Sequence, residues 1–159
     1  MLAADTFAVD FVCTACGATI SALTNPSHCP HCEAPAPDHG FPTAEAVKIA
    51  AQNDRFRSTW GADFTIPGRI VMTRGVAALP CEARVAIMVA VMQFSGFTGD
   101  NDPCGTHDFG IVTVAEGEGE VRLYWKIDLY DTELEYGSPD PADPKVTRRV
   151  LTIMFPSDY

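Results

Sequence analysis

The sequence predicts an α+β fold in which an N-terminal four-cysteine zinc ribbon precedes a small, mostly antiparallel sheet packed with about three helices. Three patterns predict it: two C-x2-C pairs near the start, apolar runs at helical spacing, and two β-prone runs around a Gly-Glu turn. The 159 residues, 47% hydrophobic and 20% charged, suffice for one ordinary globular domain with a small extra module.

The four cysteines, Cys13, Cys16, Cys29 and Cys32, form two C-x2-C pairs twelve residues apart. One tight turn can present two thiolates to an ion, and two such turns complete a tetrahedral four-sulfur shell. We therefore predict a zinc-ribbon module over residues 1–36. Four thiolates also suit iron, so a rubredoxin-like iron site stays open beside Zn²⁺.

A Pro-rich stretch predicts a connector over 37–43, followed by an α+β domain over 44–159. Thr43 is a suitable N-cap, and apolar positions at helical spacing predict a first helix over 44–58. A short β-prone run predicts a strand over 69–73. The apolar stretch that follows Pro80 predicts a buried helix over 81–94, because its length exceeds that of a usual strand.

Two runs of strand composition, 109–115 and 121–130, flank Glu116–Glu120 and predict a β-hairpin. The last segment, 145–155, stays open between a third helix and a strand. Val146, Val150, Ile153 and Met154 fit helical spacing, but the run from Val150 onward has equally good strand composition.

The chain carries 21 acidic and 11 basic residues, a net charge of −10. This balance disfavours a general nucleic-acid binder and attachment to an anionic membrane. Since the chain is acidic and residues 1–43 contain no Lys or Arg, we expect no direct nucleic-acid binding by this protein. The stretch 100–143 holds twelve carboxylates against Arg122 and Lys126. It is either a solvated face or a surface for a cation or a basic partner.

The start of the chain predicts its location. Residues 1–11 include Asp5 and Asp10 but no basic residue, so we expect no secretory signal. No apolar run approaches the roughly 18 residues that a membrane span needs. We therefore expect a bacterial cytoplasmic protein, in which disulfides between the four cysteines are disfavoured.

Six stretches carry a family resemblance: Asn53-Asp54-Arg55-Phe56-Arg57, Thr73-Arg74-Gly75-Val76, Asn101-Asp102-Pro103 with Gly105, His107-Asp108-Phe109-Gly110, Trp125-Lys126-Ile127-Asp128 with Tyr130-Asp131, and Ser138-Pro139-Asp140-Pro141 through Met154. Through them residues 49–159 resemble an uncharacterised family of small bacterial, often plasmid-borne proteins. Cys104 and Thr106 depart from its pattern, and the four-cysteine module is an addition to it. Because such elements often carry anti-restriction genes, the resemblance implies a nucleic-acid-handling or defence factor as partner.

The densest group of chemical side chains is His107, Asp108 and Asp128, if the hairpin pairs Asp108 roughly opposite Asp128. Two carboxylates and an imidazole can bind a divalent cation and activate water, as a small hydrolase or nuclease requires. The same residues are also typical of turns and of hydrogen-bonded strand ends.

The specific cysteine spacing favours a non-enzymatic function. We predict a zinc-binding protein-interaction module whose acidic surface binds a partner with a basic surface. The alternative is a small metal-dependent hydrolase or nuclease using His107, Asp108 and Asp128. The sequence leaves the oligomeric state open.

Overall fold

The computed structural model describes residues 7–159, and within this range it confirms the α+β class. Residues 1–6 of the predicted module, including Asp5, lie outside the described residues. The elements are β1 (Val9–Val12), β2 (Thr19–Ala22), α1 (Ala44–Ser58), β3 (Gly68–Met72), α2 (Arg74–Ala77), α3 (Cys81–Met92), β4 (Phe109–Glu116), β5 (Gly119–Tyr130), β6 (Arg148–Met154) and a final 3-10 turn (Pro156–Asp158). None of the helices in this range has the length and apolarity to cross a membrane.

The larger sheet has the strand order β3-β6-β5-β4. Strand β5 is antiparallel to β4 and β6, whereas β3 runs parallel to β6. Alternate residues of each strand point to one face, where the core forms. Leu123 and Trp125 of β5 are fully buried there, against Phe56 of α1 and Ile87 of α3.

The segment that the sequence left open, 145–155, contains the strand β6 (Arg148–Met154) rather than a third helix. Arg149, Leu151 and Ile153 are fully buried at alternate positions, which is the periodicity of a strand with one covered face. The third helix is instead α2, a single turn that the sequence analysis did not predict. Four residues are too few to show a helical pattern.

The N-terminal module packs against the start of α1. Strands β1 and β2 form an antiparallel pair, and the N–H of Val12 donates to the carbonyl of Pro42 at 2.8 Å. The Asn25 amide bonds both the N–H and the carbonyl of Phe41. Because Thr43 caps α1 through its Oγ1, the module meets the domain where this helix begins.

Candidate metal centre and adjoining cleft

The four cysteines meet at one point, with all four Sγ atoms within 4.8 Å of one another. Cys13 and Cys32 lie 3.7 Å apart, and Cys16 and Cys29 lie 3.8 Å apart. A tetrahedral zinc site with bonds of about 2.3 Å separates its sulfurs by about 3.8 Å. These separations are too long for disulfides. The donor set therefore fits a single Zn²⁺ or iron ion.

Two turns of the same design present these thiols. In the first, the N–H of Gly17 donates to the carbonyl of Cys13 at 2.9 Å, and Gly17 takes a φ of 74°. In the second, the N–H of Glu33 donates to the carbonyl of Cys29 at 2.9 Å, with a φ of 60° at Glu33. Both φ values lie in the left-handed region, which is easy for Gly and strained for Glu.

The turns also set the protonation of the thiols. The backbone N–H of Cys16 stabilises the thiolate of Cys13 and lowers its pKa to about 6, although burial opposes this. At Cys32 the N–H of Ala34 lowers the pKa, but the thiol of Cys16, desolvation and the thiols of Cys29 and Cys13 together outweigh it and raise the pKa to about 12. A metal ion that binds all four sulfurs must therefore displace protons.

The two histidines beside the second pair lie outside this group. His28 and His31 are exposed, and His28 contacts the hydroxyl of Ser27. In the stretch 7–159, the cysteines form the one group of three or more candidate ligands that meets in this way. His107, Asp108 and Asp128 do not form a second group.

A cleft of about 880 Å³ lies between the module and the helical side of the domain. The module and connector contribute Thr14, Asn25 and residues 39–42, and the first three turns of α1 form the opposite wall. The loop 97–107 completes it. Sequence reasoning did not predict this cleft, because it joins three segments that are distant along the chain.

His107 lies in the cleft between two carboxylates. Its Nδ1 lies 2.8 Å from Oδ2 of Asp54, and its Nε2 lies 3.6 Å from Oδ2 of Asp102. Phe97 stacks on the imidazole at a centroid distance of 3.8 Å. The backbone of His107 has a φ of 53°, which is uncommon for a residue with a side chain. Three side chains thus hold the ring in one orientation.

A buried polar network positions this loop. Asn53 donates from Nδ2 to the carbonyl of Thr106 and accepts from Nε of Arg149, at 2.9 and 2.8 Å. Asp102, which is 5% exposed, accepts the N–H groups of Thr106 and His107. The network therefore connects α1, β6 and the cleft loop.

Two arginines of the core carry this network's charge. Arg57 is 3% exposed and donates to Asp54 at 2.8 Å and to the carbonyl of Val91 at 2.6 Å. Arg149 is fully buried and has no carboxylate partner within hydrogen-bond distance among residues 7–159, only Gln52 and Asn53. Burial lowers the pKa of Arg149 to about 10.

The hairpin register differs by one residue from the expected pairing. Phe109 pairs with Lys126, so Asp108 lies opposite Ile127, whose N–H donates to its carbonyl at 2.7 Å. The cause is a two-residue turn at Gly117, where φ is 60°. Asp128 instead forms an ion pair with Lys126 at 2.8 Å.

Asp108 is half-buried beside this cluster. Burial raises its pKa, and the carboxylates of Asp102 and Asp128 add to the increase. The structure thus brings His107 together with Asp54 and Asp102. The sequence analysis missed the contact with Asp54, which is 53 residues distant, and its one signal was a polar run inside an otherwise amphipathic helix.

Fold and site together define a mixed α+β protein with a four-cysteine cluster that is compatible with metal binding. Residues 72–158 match the family described as "Protein of unknown function (DUF3768)", and the chain belongs to this family. The four-cysteine module and residues 49–71, which the resemblance included, lie outside the matched range. Comparisons with curated proteins and with solved structures find no match.

Proposed function

We propose that this chain is a zinc-ribbon protein whose metal-stabilised module forms one wall of a cleft that binds a basic segment of another protein. The observation that carries the proposal is the convergence of four thiols at tetrahedral spacing beside that cleft. The protein acts in the bacterial cytoplasm, where thiols stay reduced.

The metal has a structural role in this proposal. Four protein ligands complete the shell of zinc and leave no open position for substrate or water. The module and the connector share one core, a cluster of five buried residues, Phe11, Cys13, Ile20, Cys29 and Phe41. Because so small a core contributes little stability, metal binding supplies the folding free energy of this wall.

The cleft has the chemistry to receive a basic side chain. Glu45, Asp54 and Asp102 line it, and none of the lining residues described is Lys or Arg. Asp54 is already paired with Arg57 and His107, and Asp102 is buried, so the exposed Glu45 is the carboxylate available to a ligand. Apolar groups such as Phe41 and Ile49 lie between them. Such a surface can hold the aliphatic stem of Lys or Arg while a carboxylate meets its charge. We infer a partner that handles nucleic acid or acts in defence, since such factors have basic surfaces.

The test is binding of a fluorescent Arg-Ala repeat peptide to the full chain at 50 and 200 mM salt. The proposal predicts affinity that falls steeply with salt, and a several-fold loss on Glu45→Gln. Glu82→Gln is the matched control, because Glu82 is also exposed in the first turn of a helix but lies on α3. Salt-independent binding, or equal losses in the two variants, would refute the cleft as the site.

A second candidate function is supported by the fixed orientation of His107. With Nδ1–H donating to Asp54, Nε2 keeps its lone pair, since Oδ2 of Asp102 at 3.6 Å is beyond hydrogen-bond distance. This nitrogen can take a proton from a water that attacks a substrate in the cleft. The sequence-based version of this hydrolase or nuclease also used Asp108 and Asp128 with a divalent ion. The new geometry gives that role to the Asp54–His107 pair.

If the chain is a hydrolase, His107→Asn should abolish turnover. The substrates for this test are a nitrophenyl ester and single-stranded DNA, the latter in Mg²⁺ or Mn²⁺. Asn tolerates the left-handed φ of this position better than Ala, so the fold is preserved. Asp128→Asn serves as the control, since this carboxylate pairs with Lys126. Turnover that survives His107→Asn would exclude this function.

A further inference from the structure

The four-stranded sheet has one face without an α-helical layer. The helices α1, α2 and α3 pack on the face that contains Leu123 and Trp125. On the other face, the final 3-10 turn contacts β5, and Tyr159 after it packs on Phe109 and Tyr124. Strand pairing places one set of half-buried or exposed residues together on this open face: Arg69 on β3, Arg148 and Val150 on β6, Arg122, Tyr124 and Lys126 on β5, and Phe109 on β4.

The charge of the open face is opposite to that of the chain. Its cations are Arg69, Arg122, Lys126 and Arg148, and its carboxylates are Glu120 and Asp128. The rest of the chain has seven basic residues against nineteen acidic ones. The net charge of −10 therefore hides a locally basic surface, which the charge argument from sequence alone did not detect.

Aromatic rings lie among these cations. Phe109, Tyr124 and Tyr159 pack edge to face, with centroids 5.3 to 6.0 Å apart. The guanidinium of Arg122 lies 5.8 Å from the centre of the Tyr124 ring. Tyr159 is 77% exposed, so one ring of the trio stands almost free in solvent.

Lys126 is one of these cations and lies beside the aromatic rings. Its Nζ forms an ion pair with Asp128 at 2.8 Å, and this carboxylate raises the pKa of Lys126. Tyr130 and Tyr159 are close enough to raise it further. Lys126 is therefore a permanent cation beside the rings. Because Asp128 is already neutralised by it, Arg69 and Arg122 are left as the least committed cations of the face.

We propose that the open face binds single-stranded nucleic acid, with bases stacking on the exposed rings and phosphates meeting the arginines. Stacking rings and cations on one sheet are what unpaired nucleotides require. Duplex bases are already stacked, and an acidic peptide would use the cations without the rings. Four strands span roughly 15 Å, enough for two or three nucleotides. The site lies on the other side of the sheet from the cleft and is independent of the proposed function.

The test measures fluorescence anisotropy of labelled dT15 with the full chain at 50 and 200 mM NaCl. Replacing both cations, Arg69→Ala with Arg122→Ala, should weaken binding by tenfold or more at low salt. The control pair, Lys48→Ala with Arg84→Ala, removes the same charge from exposed positions on α1 and α3 and should change affinity less than twofold.

A second matched pair tests the stacking. Tyr159→Ala should weaken dT15 binding about fivefold or more. Tyr136→Ala should not, although Tyr136 is 72% exposed against 77% for Tyr159, because it lies in the loop after β5. Because both positions are exposed, neither substitution removes a side chain from the core.

Four outcomes would overturn the proposal. They are no binding of dT15 at 50 mM NaCl, equal losses in the test and control pairs, and equal affinity for a Glu-rich peptide, which would mark the face as a site for acidic protein. The fourth is self-association in sedimentation that Arg69→Ala with Arg122→Ala abolishes and dT15 leaves unchanged. That result would assign the face to a second copy of the chain.

Discussion

The module before α1 and the sheet domain after it are stabilised by different means. The module has one cluster of five buried residues, two of them metal-ligand candidates. The domain has twelve, drawn from three strands, three helices and the loop residue Ile66. The contrast supports the proposal that the module depends on a bound metal, whereas the domain folds by burying apolar surface.

Removal of the metal should give the largest difference in stability between the module and the domain. Structural zinc contributes roughly 10 kcal/mol or more to small zinc modules, so a chelator should unfold residues 7–43 and leave the sheet intact. Hydrogen exchange is the measurement: amides of Gly17 and Glu33 should lose protection, while that of Ile127 keeps it. Simultaneous loss in both regions would show one cooperative unit instead.

Asn53→Ala should have the next largest effect on stability, and it should destabilise the domain alone. It removes an acceptor from the buried Arg149 and a donor to Thr106, and should cost about 3 kcal/mol. Denaturant unfolding measures this loss. Arg149→Met removes the buried charge that Asn53→Ala leaves without this acceptor. We therefore expect Asn53→Ala to lower the free energy of unfolding by less in the Arg149→Met background. Equal costs in both backgrounds would contradict the assigned role of Arg149.

Thr43→Ala tests the junction between the two regions. Its Oγ1 accepts the N–H of Ala46 at 3.0 Å, and loss of such a cap costs about 1 kcal/mol. Thermal unfolding should show the loss for Ala, and Thr43→Ser, which keeps the hydroxyl, should remain close to the native chain. A similar loss with Ser would point to the methyl group rather than the cap.

Asp108→Asn should have the smallest effect on stability, and it should stabilise the domain. Burial raises the pKa of Asp108 in the folded chain, so folding disfavours its ionised form. Native stability is lost as the pH rises through that pKa, and the variant should melt higher at pH 7 by under about 3 °C. Below about pH 4 the difference should vanish.

The parts of the fold that were predictable are those determined locally. The cysteine spacing, the helices α1 and α3 and the β4–β5 hairpin were all confirmed, since each pattern lies within one short segment. Strand β6 stayed open because Val150 and Ile153 fit helical spacing while the run from Val150 onward has strand composition. Its buried Arg149 also interrupts the apolar alternation with Leu151 and Ile153. Its parallel pairing with β3 was not predicted.

The candidate site was predictable only in part for the same reason. His107 and Asp102 are near in sequence, but Asp54 reaches them through the packing of α1, and the cleft exists because the module meets that helix. Net charge was equally incomplete as a guide, because it averages a basic sheet face with an acidic remainder.

The most direct measurement is the metal content of the native chain and of a chain with Cys13, Cys16, Cys29 and Cys32 changed to Ser. We predict one zinc per native chain and none in the variant, with the spectrum of the sheet domain retained. The absorption of a ferric thiolate site would identify iron instead and would leave the structural account standing. A native chain without metal, or a variant that keeps its full complement, would contradict the account.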